Sequence, residues 1–250
     1  MKILLKLAYC GTNFCGWQVQ KNGVSVQSEI CRAAGEIYAS PVKVTGCSRT
    51  DSGVHAKEYF CTIETQKNAP VIPISRIPTA MNTHLPESIT VICAKEVQGD
   101  FHARYSVREK TYEYVFDNGE QRDPFLFGRA WHIPKRLDER EMDEAARSFV
   151  GEHDFASFMS SGSSVTDTVR RITSASVRRE GDKVIFSVSA NGFLYNMVRI
   201  MAGTLYEVSI GKIKKESIDG IISAKNRKNA GKTAPPDGLY LVGVDYGEKE

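Results

Sequence analysis

Apolar and polar positions alternate through much of this chain, and where alternation stops the apolar residues fall on helical stripes. Lys2 to Tyr9 reads as a buried strand. After Gly23, Ser25 can cap a helix whose Val26, Ile30, Ala33 and Ile37 share one face. The β-branched run Val42 to Val44 and the stretch Tyr59 to Thr65 predict two strands with a turn between them. Residues 66 to 73, with Pro70 and Pro73, read as a linker. A short helix to Leu85, disturbed by Pro78, and a strand from Ile89 to Val97 follow. Tyr112, Tyr114 and Phe116 then alternate on one face of a strand.

A second series restarts at Trp131. Asp138 caps a helix, with Glu141 completing a capping box and Met142, Ala145, Ala146 and Phe149 as its buried stripe. Residues 160 to 168, rich in Ser and Thr, show neither period and read as an exposed loop that can touch a ligand. Thr168 to Arg179 and Lys183 to Ala190 alternate about Glu180-Gly181-Asp182 and predict a hairpin. A helix runs through Leu205, and a last strand begins near Leu241.

With 250 residues, 41% hydrophobic and 25% charged, the chain can bury a core as one large domain or two small ones and is expected to be soluble and globular. Its first apolar run contains Lys6 and is too short for a signal peptide or a membrane span, which predicts a cytoplasmic protein with no membrane partner. The six cysteines, all in the first half, include no Cys-x-x-Cys pair, and no His pair completes a zinc pattern; reduced thiols and no metal are expected. A net charge of +3 does not by itself argue for nucleic acid, but its distribution changes the picture. Between Lys212 and Lys232 there are seven Lys or Arg against two acids, with Arg170, Arg171, Arg178 and Arg179 upstream. Such a cluster suits a phosphate-tracking face, and equally a solvated helix face.

The most specific stretch is Gly46-Cys47-Ser48-Arg49-Thr50-Asp51-Ser52-Gly53-Val54-His55-Ala56, between two strands. On an extended segment Arg49 and Asp51 share a face, and a guanidinium beside a carboxylate keeps it ionised, ready to act as nucleophile or base. A lone Asp-Ser-Gly would read as an Asx turn. Other strings stand out: Gly16-Trp17-Gln18, Phe101-His102-Ala103-Arg104-Tyr105, Tyr112-Glu113-Tyr114, Gly151-Glu152-His153-Asp154-Phe155, Met197-Val198-Arg199 and Ala234-Pro235-Pro236-Asp237-Gly238-Leu239. Trp17 alone reads as core, and His153 beside Asp154 as a structural hydrogen bond at a helix end. Aromatic and basic residues interleaved on a sheet suit unstacked bases, or an ordinary packed strand.

In order and spacing these strings resemble the tRNA pseudouridine synthase A family, whose signature is usually Gly-Ala-Gly-Arg-Thr-Asp-Ala-Gly-Val-His-Ala. Gly46, Arg49 to Asp51 and Gly53 to Ala56 match it; Cys47, Ser48 and Ser52 depart, as does Cys10 where the family usually has Asp. The resemblance implies an α+β pseudouridine synthase fold: two α/β halves, 1–105 and 106–250, with mainly antiparallel sheets flanked by helices around a central cleft. It implies isomerisation of uridine to pseudouridine at positions 38 to 40 of the tRNA anticodon stem-loop, without cofactor or metal, by a homodimer. It places the nucleophile at Asp51, its arginine partner at Arg199 and the base-contacting tyrosine at Tyr112. RNA contacts fall to Phe101, His102, Ala103, Arg104 and Tyr105, and Arg49 supports the flipped-out nucleotide or a phosphate.

Three other readings remain distinguishable. A paralogous synthase aimed at other tRNA uridines would show in a map of modified positions. An RNA-binding chaperone has no need of Asp51, Arg199 and Tyr112 together. A cysteine-based redox or metal protein would show in metal analysis.

Overall fold

The computed structural model describes residues 1–247 except 22, 67, 163 and 164, so positions 163 and 164 of the polar loop and 67 of the linker lie outside the described residues. The chain divides into two compact units, Met1–Arg108 with Leu241–Glu250, and Glu109–Tyr240.

In the first unit β1 (Lys2–Tyr9) leaves one face half-buried and buries the other, with Ile3, Leu5, Leu7 and Tyr9 inward. The α1 helix (Val26–Ile37) is capped by Ser25, whose hydroxyl accepts the Ser28 N–H while Ser28 Oγ accepts the Ser25 N–H. That reciprocal pair satisfies two end donors, and the stripe Val26, Ile30, Ala33 and Ala34 is buried. A short β2 (Lys43–Gly46) pairs antiparallel with β3 (His55–Glu64). The β3 strand starts four residues before the apolar stretch beginning at Tyr59, because His55 and Ala56 are already buried in the ladder. In α2 (Ile77–Asn82), Pro78 stands in the first turn, where a missing N–H costs no helix bond. It starts the helix and does not break it. The β4 strand (Ile89–Glu96) lies on the far side of β1.

The second unit is built on β5 (Glu109–Asp117), with β6 (Trp131–His132) parallel to its end. After it, α3 (Glu139–Arg147) is capped by Asp138, which accepts the Arg140 and Glu141 N–H groups. The expected reciprocal bond from Glu141 does not form: the Asp138 N–H donates to Ser209 Oγ at 2.7 Å, and Glu141 holds Lys215. His153 and Asp154 fall in β7 (Gly151–Asp154), not at a helix end. The hairpin of β8 (Val169–Glu180) and β9 (Lys183–Ala190) turns at Gly181, whose φ of +60° suits glycine. The sheet runs β5-β9-β8-β7. Ten residues of α4 (Met197–Ser209) are buried, so this helix lies in the core of its unit. A short α5 (Ile218–Ser223) precedes β10 (Leu239–Asp245), which from Leu241 belongs to the first unit and lies beside β3, giving the order β4-β1-β3-β10. In each unit the strands are mainly antiparallel and carry helices, in agreement with the α+β reading.

Candidate active site

Asp51 sits in the loop joining β2 to β3, and a second loop from Cys10 to Gln20 holds both of its neighbours. Tyr9 Oη and Thr50 Oγ1 are 2.8 Å apart in the interior. The Trp17 N–H donates to the Thr50 carbonyl at 3.0 Å, and the Gly53 N–H to the Phe14 carbonyl at 3.3 Å. The Ser52 hydroxyl donates to that same carbonyl at 3.2 Å. A turn is closed by the Val54 N–H on the Asp51 carbonyl at 3.2 Å. The two loops meet backbone to backbone: a β-carbon at Gly16, where φ is +100°, would lie 2.5 Å from the Thr50 carbonyl oxygen. At Gly11 it would lie 1.9 Å from that of Val54. Only glycine permits that approach.

Beneath the loop, Trp17 and Tyr59 stack with ring centroids 4.2 Å apart, and Gly46 rests against both rings. Tyr59 donates its hydroxyl proton to the Ser48 carbonyl. Trp17 is 3% exposed and forms a floor, the core role read from it in isolation. His55 is buried and its Nδ1 accepts the Gly11 N–H at 3.0 Å, which places the ring proton on Nε2.

Beside the loop an open cavity of about 250 Å³ is lined by Trp17, Gln27, Arg49, His102, Arg104 and Tyr105 among others. Tyr105 is 77% exposed, with the His102 ring 4.3 Å away and the Arg104 guanidinium 5.7 Å from its centroid. The His102 Nδ1 accepts the N–H groups of Arg104 and Tyr105 at 3.1 and 3.2 Å and so folds the segment. Phe101 packs on Tyr246, and Ala103 is fully buried with its carbonyl accepting the Tyr246 hydroxyl at 2.8 Å. These two anchor the segment while its outer face is aromatic and basic, a surface that can stack a base and hold a phosphate.

Arg199 and Tyr112 belong to the second unit, Asp51 to the first. Tyr112, on β5, is 6% exposed and meets Phe193 edge-on at 5.0 Å. Arg199 lies in the first turn of α4. Its Nε donates to the Ala234 carbonyl and its Nη1 to Asn196 Oδ1, both at 2.8 Å, while the Ala234 N–H returns to the Arg199 carbonyl at 3.0 Å. The segment supplying Ala234 is pressed onto α4: a β-carbon at Gly203 would stand 1.8 Å from the Lys232 carbonyl oxygen. Lys232 Nζ lies 4.6 and 4.4 Å from the ring centroids of Trp131 and Tyr206. Burial pushes the Tyr114 hydroxyl well up from its ordinary range, the Arg199 charge opposing, and that hydroxyl donates to the Pro235 carbonyl at 2.8 Å.

The family model described as "tRNA pseudouridine synthase" matches residues 145–247. "tRNA pseudouridine synthase A" of Thermoanaerobacter sp. (strain X514) is 42% identical over 244 residues, covering 98% of this chain and 99% of that protein. The proteins of the same name from Acetivibrio thermocellus and Clostridium acetobutylicum are 45% and 43% identical, each over 98% of this chain and 99% of theirs. The chain belongs to the tRNA pseudouridine synthase A family. Among solved structures, a chain of a Cbf5-Nop10-Gar1 complex gives a TM-score of 0.35 at 12% identity, covering 95% of this chain and 57% of that one.

Seen as a family member, the protein uses many of its clustered cations internally. Lys212 pairs with Glu207 at 2.9 Å, Lys225 with Asp154 at 2.9 Å, and Lys215 with Glu141 and Glu144 at 2.8 and 2.5 Å. Arg178 and Arg179 hold Glu113 and Glu139, each at 2.9 Å. Lys214 and Lys228 are exposed. Among the described residues no group of three or more His, Cys, Asp or Glu could hold a metal, and no helix is long and apolar enough to cross a membrane. The pattern of side chains did not disclose the Tyr9–Thr50 bond, the glycine contacts at Gly11 and Gly16, or the Ala234 carbonyl under Arg199. Each is a tertiary contact between residues far apart in the chain, which no local pattern marks.

Proposed function

We propose that this synthase isomerises uridine to pseudouridine at positions 38 to 40 of the tRNA anticodon stem-loop, with Asp51 as nucleophile. The observation that supports this reading most is the clamp on both neighbours of Asp51, which presents the carboxylate from a fixed backbone. Preorganisation of that kind serves a reaction in which one bond is exchanged for another at the same sugar carbon.

A stacked uridine is out of reach, so the nucleotide leaves the helix first, at a cost of a few kcal/mol. The Asp51 carboxylate then assists rupture of the bond between C1′ and N1, by attack at C1′ or C6 or by stabilising the departing base. The uracil turns, C5 bonds to C1′, and the proton that C5 loses is matched by one gained at N1, so the atoms balance without oxidant, metal or cofactor. Arg199 is assigned as the cation that keeps Asp51 ionised. Tyr112 stacks on the uracil and offers its hydroxyl for the C5 proton. Arg49, His102, Arg104 and Tyr105 hold the flanking RNA, with Phe101 and Ala103 anchoring them. The protein works in the cytoplasm as a homodimer.

Pseudouridine mapping in tRNA from cells lacking the protein tests the reading. Loss at positions 38 to 40 that wild type restores and Asp51→Asn does not would support enzyme, substrate and nucleophile together. Restoration by Asp51→Asn would end the assignment of Asp51, and loss at other positions would point to a different choice of uridine.

A further inference from the structure

Asn196 occupies the N-cap position of α4, where an asparagine side chain ordinarily accepts an N–H from the first turn. Here it makes no such bond. Its backbone stands at φ +60° and ψ +11°, the left-handed region that asparagine tolerates better than other side chains. Its carbonyl oxygen instead takes Arg199 Nη1 at 2.8 Å, and its amide nitrogen donates to Ser160 Oγ at 3.0 Å. Because a guanidinium only donates, the amide oxygen must face Arg199, and the NH2 group is thereby turned toward Ser160. Ser160 is itself held, its N–H donating to the Tyr195 carbonyl at 3.1 Å. It is the first residue of the Ser/Thr-rich loop, whose other end is tied by the Thr168 hydroxyl donating to Asp154 at 2.5 Å.

We infer that Asn196 is a positioning residue for Arg199 and that Ser160 holds its amide in place from the other end, so that the entry to the polar loop governs how Arg199 is aimed. The inference rests on the proposed role of Arg199. With Nε on the Ala234 carbonyl and Nη1 on Asn196, two edges of a planar fork are fixed, which fixes the plane. Ser160 does not touch Arg199 in this chain of contacts; its influence runs through the asparagine.

The test is single-turnover kinetics and binding on a tRNA transcript with Ser160→Ala, Asn196→Gly, the double variant and Arg199→Lys. Glycine keeps the left-handed backbone and removes the amide, so folding is retained. Asn196→Gly should slow the chemical step about tenfold or more while tRNA affinity stays within about twofold. Ser160→Ala should slow it less, and the double variant should be no slower than Asn196→Gly alone, because contacts in series are not additive. Independent, multiplicative losses would overturn the relay, as would a loss confined to affinity. Arg199→Lys separates the two readings. If it turns over at the wild-type rate, the role of Arg199 falls and this inference with it. If it is slow while Asn196→Gly is normal, only the positioning role is overturned.

Discussion

At the scale of single residues, the site depends on groups that carry no reactive atom. The Tyr9 hydroxyl holds Thr50, the residue before Asp51. Tyr9→Phe removes one interior hydrogen bond, so urea unfolding should show a loss of about 1 kcal/mol. Because small displacements of a reacting group are costly, turnover should fall by about tenfold. An unchanged rate would mean that the bond serves the fold and not the carboxylate. The reactive residue types were legible in the sequence because Arg-Thr-Asp and Met-Val-Arg are compact strings. The supports were not, since Tyr9 reads only as the end of an apolar strand. Nor could the string Phe101 to Tyr105 reveal that Phe101 and Ala103 face inward while Tyr105 faces out.

Among elements, the same division holds. Alternation marks the β8–β9 hairpin and the stripe of α3 because burial on one face leaves a period in the chain. The cap of α3 shows what a period omits: Ser209 and Lys215, far along the chain, take the partners that a local box would use. Asp154 ties three elements, accepting from the Ala156 N–H and the Thr168 hydroxyl and pairing with Lys225 just beyond α5. Its carboxyl is held below the ordinary range, first by the Thr168 hydroxyl and then by Lys225. A depressed carboxyl stabilises the fold above its unfolded value, and that contribution fades as the pH falls through the folded one. Stability of the second unit, followed by unfolding at a series of pH values, should therefore drop below about pH 4. Asp154→Asn should be less stable at neutral pH and flatter across that window; an unaltered acid limb would show that other carboxyls set it.

For the whole molecule, a net charge of +3 conceals a distinction among cations. Lys215, held by two carboxylates, has internal work, whereas Lys228 is exposed. Affinity for tRNA should fall with salt, and Lys228→Gln should lower the slope of log affinity against log salt by about one while Lys215→Gln leaves it unchanged. Equal slopes for both variants would remove the distinction. What alternation in β10 cannot convey is its neighbour: from Leu241 the strand lies beside β3, where the Val244 N–H meets Glu58 at 3.1 Å. The cysteines fall on one side of that division. All six lie in the first unit, with Cys47 and Cys61 buried and burial raising the Cys61 thiol well above its usual range. A thiol reagent therefore reports on that unit alone: the rate at which Cys47 and Cys61 become labelled clocks the opening of the β2–β3 frame that carries Asp51, with no signal from the other unit and no introduced probe.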